Sequence, residues 1–238
     1  MNRLFFILWC TIPLTVKAQN FTVTNLRCQL QVRPLGIDIA QPALSWELQS
    51  SQKNILQMAY RIVVSTDSLS LVNNENITWD SKKINASTSI QVSYNGPALA
   101  PATRYYWKVM SWDNKGNQSP WSPVSSWQMG LFTQHDWKKA QWITNAILPD
   151  ANKIYPAAHG NGDKSWGKRP NTLPLLRKQF TVNKPIKQAT AFICGLGQFE
   201  MMLNGKKVGD HFLDPGWTLY NKQALYVSFD ISNYLQPG

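Results

Sequence analysis

Histidine and cysteine are scarce in this chain, three of each in 238 residues, and the shortage removes whole classes of chemistry. His135, His159 and His211 are scattered over segments that read as loops, so no zinc-ligand spacing can be assembled and neither metal nor cofactor is expected. Cys10 lies inside an N-terminal apolar run. Cys28 and Cys194 fall in different expected domains, which makes them lone thiols rather than a disulfide. Helical periodicity is also missing: from residue 19 onward no window holds apolar residues at three and four spacing for more than about a turn. No later apolar run has the length to span a bilayer. His135 precedes Asp136, but no Ser or Cys nucleophile stands near, so the pair reads as part of a linker.

The N-terminus is the one strongly apolar stretch. Arg3, the run over residues 4–14, and then Val16 and Ala18 at small-residue positions make a secretory signal, with cleavage expected after Ala18. Trp9 stands before Cys10 where a lipidation site needs a small residue. The net charge of +11 falls to +9 without Arg3 and Lys17, divided as +3 over residues 19–130 and +6 over 131–238. Its basic pairs (Lys82-Lys83, Lys138-Lys139, Lys168-Arg169, Arg177-Lys178, Lys206-Lys207) sit on different expected elements. That is a solvated basic surface, and neither a nucleic acid nor a membrane is expected as partner.

Short strand-like runs punctuated by Pro, Gly and Asn fill the rest, the rhythm of an all-β chain. Seven are read in residues 19–130, over 22–30, 43–48, 58–65, 78–84, 89–92, 104–112 and 124–129. This number in about a hundred residues makes an immunoglobulin-like sandwich. Ser119-Pro120-Trp121-Ser122 reads as an interruption before the last strand. A second module is read over 131–238, with strands at 176–180, 189–194 and 198–203, a hairpin turn at Asn204-Gly205, and a final strand in which Leu225, Val227, Phe229 and Ile231 alternate with polar residues. Residues 149–174 form a polar connection too long for an ordinary loop.

Two resemblances sharpen this reading. Leu99, Pro101, Thr103 and Tyr105, followed by Trp107 and Val109, resemble the tyrosine corner of fibronectin type III domains, in which the tyrosine hydroxyl ties the loop to the sandwich. The order of motifs from the stretch around Trp46 to residues 203–210 (LNGKKVGD), 213–220 (LDPGWTLY) and 225–238 resembles the N-terminal region of bacterial α-L-rhamnosidases. The resemblance implies two β-sandwiches in series after the signal peptide (1–18): a fibronectin type III/Ig-like module (19–130) and an incomplete jelly-roll-like module (131–238). It further implies a bacterial secreted or periplasmic enzyme that removes terminal α-L-rhamnose with inversion, acting on rhamnose-containing glycans through a C-terminal helical barrel that these residues do not include. Ladder edges left open beyond residue 130 would then favour association.

No catalytic residue is carried over. Glu200, Asp210, Asp214 and Asp230 are read as solvent-facing or turn residues. Most aromatic rings are read as core, among them Trp46, Tyr105, Trp107 and Trp142. Trp166, among polar and glycine residues in the long connection, is the leading candidate for stacking on a sugar, with Tyr155 and Trp217 behind it. Four glycosylation sequons, at Asn20, Asn76, Asn85 and Asn117, are chance matches in a bacterial chain. The alternative to an accessory region is a free-standing two-module carbohydrate-binding or adhesion protein.

Overall fold

Alternating apolar residues in the first half of the chain close into two facing sheets in the computed structural model, which describes residues 21–144 and 174–237. The chain divides into two compact units, residues 1–132 and 133–238. In the first, β1 (Thr22–Cys28), β2 (Ala43–Gln49) and β5 (Val92–Ser93) form one sheet in the order β1-β2-β5. β3 (Gln57–Ser65), β4 (Trp79–Asp80), β6 (Arg104–Asp113) and β7 (Ser125–Gln128) form the other, in the order β4-β3-β6-β7. All pairings between these strands are antiparallel. The three-plus-four arrangement is that of a fibronectin-like sandwich.

Residues of one parity on each strand fill the space between the sheets: Val23, Leu44 and Trp46 from one, Ile62, Val64, Tyr105, Trp107, Val109 and Trp127 from the other. Aromatic rings meet edge to face across this core, Trp46 on Tyr60 at 5.1 Å and Trp79 on Tyr94 at 4.8 Å, geometries that the ring quadrupole favours. The indole N–H of Trp46 donates to Gln57 Oε1 at 2.9 Å, which also accepts from the Ser111 hydroxyl at 2.8 Å. The Gln57 amide in turn donates to the Thr88 carbonyl at 2.8 Å. Burial without those partners would be costly.

Several short strands are long ones interrupted. Lys82, at φ 55°, breaks the segment expected over 78–84. The chain beyond it still pairs with β3, through Ile84 and Tyr60. Gln91, at φ 56°, breaks the segment expected over 89–92 just ahead of β5, and its N–H goes to the Ser45 hydroxyl at 2.9 Å. The expected interruption at residues 119–122 is explained by two serines that stand in for ladder carbonyls: Ser119 Oγ accepts from Ser111 N–H and Ser122 Oγ from Val109 N–H, each at 3.0 Å. One short helix was not foreseen. α1 (Ser68–Asn73) opens on Asp67, whose carboxylate accepts from Ser70 N–H at 2.8 Å, and closes on Asn74 at φ 58°. Its sequence signal was Asp67 and Asn74 flanking Leu69, Leu71 and Val72.

In the second unit β8 (Thr190–Cys194) pairs with β11 (Tyr226–Asp230), and β9 (Met202–Leu203) with β10 (Lys206–Lys207), both antiparallel. Asn204 and Gly205 take φ of 51° and 77°, the pair of positive angles a type I′ hairpin turn requires. Two expectations fail here and a third holds in part. Residues 176–180 form no strand and are exposed; the run Leu176-Arg177-Lys178-Gln179-Phe180 has three polar residues between its two apolar ends and no ladder partner alongside among the described residues. The final strand forms as β11, and its buried Phe229 and exposed Asp230 divide as expected, but Tyr226, Val227 and Ser228 are half-buried alike. Trp142, expected in the core, is 66% exposed.

Candidate functional site

The loop that leaves β10 carries the densest group of exposed rings in the described part of the second unit, and its base is fixed by packing. Val208 is buried and its N–H reaches the Met201 carbonyl at 2.9 Å. Gly209 follows at φ 75°, and a Cβ there would stand 3.0 Å from the Phe229 ring, so both backbone angle and close approach call for glycine. Phe229 is covered from its other neighbours by Phe199 and by the His211 ring at 5.7 Å. The loop returns through Asp214, whose carbonyl accepts from Phe199 N–H at 2.9 Å, and a cis Asp214-Pro215 bond within the turn closed from Gly216 N–H to the Leu213 carbonyl.

Side chains at the tip face solvent. Trp217 is 72% exposed, and Phe212, Leu213 and Leu219 are exposed as well. The Lys207 ammonium lies 4.2 Å from the Phe212 ring and 2.8 Å from Glu200 Oε1. His211 Nδ1 is 3.2 Å from Asp214 Oδ2. Beside the hairpin, residues 174–182, Glu200, residues 202–205, Leu235 and Gln236 line an open groove of about 1090 Å³ that mixes Arg177, Lys178 and Glu200 with Phe180 and Met202.

Of the three sugar-stacking candidates only Trp217 can be placed, and it is exposed as stacking requires; Trp166 and Tyr155 lie outside the described residues. The carboxylates have local work. Glu200 pairs with Lys207, Asp214 with His211, and Asp230 accepts from Ser232 N–H at 3.0 Å. Asp136 accepts from Thr133 N–H at 2.8 Å, capping the short 3₁₀ turn Gln134–Trp137. In the first unit, hydrogen bonds from Arg61 hold the Asp80 carboxyl well below its ordinary value. Burial pushes Asp113 the other way, but bonds from the Asn117 side chain and from the Asn117 and Lys115 N–H groups outweigh it and lower its pKa. In the ion pairs Asp80 meets Arg61 and Lys82, Glu200 meets Lys207, and Asp210 and Asp214 both face the His211 ring.

Both units match known domains. The family described as "Rha78A-like, N-terminal immunoglobulin domain" covers residues 23–133, and the "Alpha-L-rhamnosidase N-terminal domain" covers 184–238. An α-L-rhamnosidase of Formosa agariphila is 36% identical over 207 residues, 86% of this chain and 22% of the relative. One from an Alteromonas species is 33% identical over 211 residues, 86% of this chain and 21% of its own. Among solved structures, the α-L-rhamnosidase of Dictyoglumus thermophilum superposes with a TM-score of 0.72 at 34% identity, over 91% of this chain and 24% of that one. The chain thus spans about a fifth of the length of the curated relatives it matches.

Proposed function

We propose, since this chain carries the N-terminal immunoglobulin and rhamnosidase domains of the α-L-rhamnosidases, that it is the accessory region of a secreted glycoside hydrolase and is not itself a catalyst. The parent enzyme would remove terminal α-L-rhamnose from glycans with inversion. Such a reaction needs one carboxylic acid on the leaving oxygen and one carboxylate on a water, about 6.5–9.5 Å apart. The observation that carries the reading is the superposition of 91% of the chain on a rhamnosidase at 34% identity. It is supported by the local hydrogen bonds and ion pairs of Asp80, Asp113, Asp136, Glu200, Asp214 and Asp230. The two units would brace a catalytic domain, and the chain would be exported through its N-terminal signal.

The test is an assay of the purified 238-residue chain with a chromogenic α-L-rhamnoside. No turnover is expected; release of rhamnose that survives repurification would overturn the non-catalytic assignment.

One observation favours a second role within the same reading. Trp217 stands exposed at the tip of an anchored loop, as a ring that stacks on a pyranose must. Titration of rhamnose-containing oligosaccharide against intrinsic fluorescence should show saturation that Trp217→Ala abolishes, and superimposable curves for the two proteins would remove the site.

A further inference from the structure

The basic residues of the first unit look dispersed along the chain, yet the fold gathers four of them on one face. On β3 and β6, Ile62, Val64, Trp107 and Val109 point into the core. Residues of the other parity therefore point outward, and the register sets Val63 opposite Lys108 and Asp80, and Arg61 opposite Met110. Trp121, half-buried, has the Lys108 ammonium 4.7 Å and the Arg61 guanidinium 5.7 Å from its ring centroid. Trp112, also half-buried, carries the Lys83 ammonium at 4.5 Å. Lys82 reaches Asp80 Oδ2 at 2.8 Å, and the Arg61 fork spans both oxygens of the same carboxylate at 3.0 and 2.7 Å.

Arg61, Lys82, Lys83 and Lys108 thus share the face with Asp80, whose oxygens are already engaged. Lys108 is buried beneath, donating to Asn74 Oδ1 at 3.0 Å, and acts as a support for the Trp121 ring. Lys82, 78% exposed, and Lys83 remain open to solvent, and Arg61 is partly so. Half-open rings flanked by ammonium groups suit a sugar that has an apolar CH face and an anionic substituent.

We propose that this outer face of the β4-β3-β6-β7 sheet binds a polysaccharide bearing carboxylates, with Trp112 and Trp121 against pyranose faces and Lys82 and Lys83 to the acid groups. The charge is complementary to that occupant and too sparse for a nucleic acid, whose affinity comes from a track of many phosphate contacts. The proposal does not depend on the rhamnosidase reading and stands or falls apart from it.

Affinity electrophoresis of the full chain in gels containing polygalacturonate, with neutral dextran as the comparison, tests it. Retardation by polygalacturonate alone is expected, weakening as salt rises. The Lys82→Gln/Lys83→Gln variant should lose about fivefold in affinity, and Trp112→Ala should lose affinity at unchanged salt dependence. Because Trp112→Ala could disturb the sheet, its circular dichroism melt is compared with that of the native chain, and the lysine variant alone decides if the melts differ. Lys138→Gln/Lys139→Gln removes the same charge from the second unit and should stay within about twofold. The proposal is overturned by no retardation, by equal retardation in dextran, by an equal loss in the Lys138/Lys139 variant, or by tighter binding to a single-stranded oligonucleotide.

Discussion

The Tyr105 hydroxyl accepts a hydrogen bond from the Ala100 N–H at 2.9 Å while its ring stacks on Trp127 at 5.5 Å, so a single side chain ties a surface loop to the centre of the sandwich. The polar end holds the loop and the ring fills the core. Ala102, at φ 53° between these two ends, sends its own N–H to the Gly130 carbonyl at 2.9 Å, which clamps the loop to the end of the unit.

Tyr105→Phe keeps the ring and deletes the tie. Loss of one hydrogen bond, with the Ala100 N–H left partly unsatisfied, should destabilise the first unit by about 1–2 kcal/mol with little change in the denaturant slope. Equilibrium unfolding in urea followed by tryptophan fluorescence measures it, and an unchanged midpoint would show that the corner contributes nothing.

Gln57 is a larger risk to the fold. Its side chain serves Trp46, Ser111 and the Thr88 carbonyl together. Gln57→Leu is close in size but strands an indole N–H and a hydroxyl in the core, and a loss of about 2–4 kcal/mol is expected. Ser111→Ala, which removes one donor and leaves the other bonds in place, should cost clearly less in the same measurement.

Stability should fall in acid, and Asp80 is one named cause. Its folded-state pKa is depressed below the ordinary 3.8 by the Arg61 and Lys82 contacts. Its contribution is therefore fully present above that value and is lost as pH drops through it towards the folded pKa. Asp113, also depressed, acts in the same direction. Asp80→Asn should be less stable than the native chain at neutral pH, and the difference should narrow between about pH 4 and pH 2. Parallel stability curves over that range would remove Asp80 from the account.

The two thiols in the described residues should differ in reactivity. Burial pushes the Cys28 pKa up to about 12, and the side chain is closed to solvent, whereas Cys194 is half-buried. Brief treatment of the folded chain with iodoacetamide should label Cys194 well ahead of Cys28, with Cys28 reacting only in denaturant. Peptide mass mapping reads the order.

Much of this architecture is legible in the amino-acid pattern, because turn chemistry and alternation are local. Asn204-Gly205 specifies its hairpin by the positive φ angles those two residues accept. The corner at Tyr105 and the serine interruption at residues 119–122 were legible too, since the residue types that make them stand together in short segments, although the serines bond back to β6 at Val109 and Ser111. Trp46 and Trp107 were readable as core because they sit on strands long enough to have an inside.

Other features depended on partners far away in the chain. Trp142 has the same aromatic chemistry as Trp46 and lies in the open, since burial needs a facing sheet that no local pattern supplies. Residues 176–180, read as a strand, find no ladder among the described residues. The Gln57 network joins residues 46, 57, 88 and 111, and the cations at 61, 82, 83 and 108 meet on one surface only because β3, β4 and β6 pair in a particular register. Alternation settles which residues can share a face; strand pairing alone settles which faces come together.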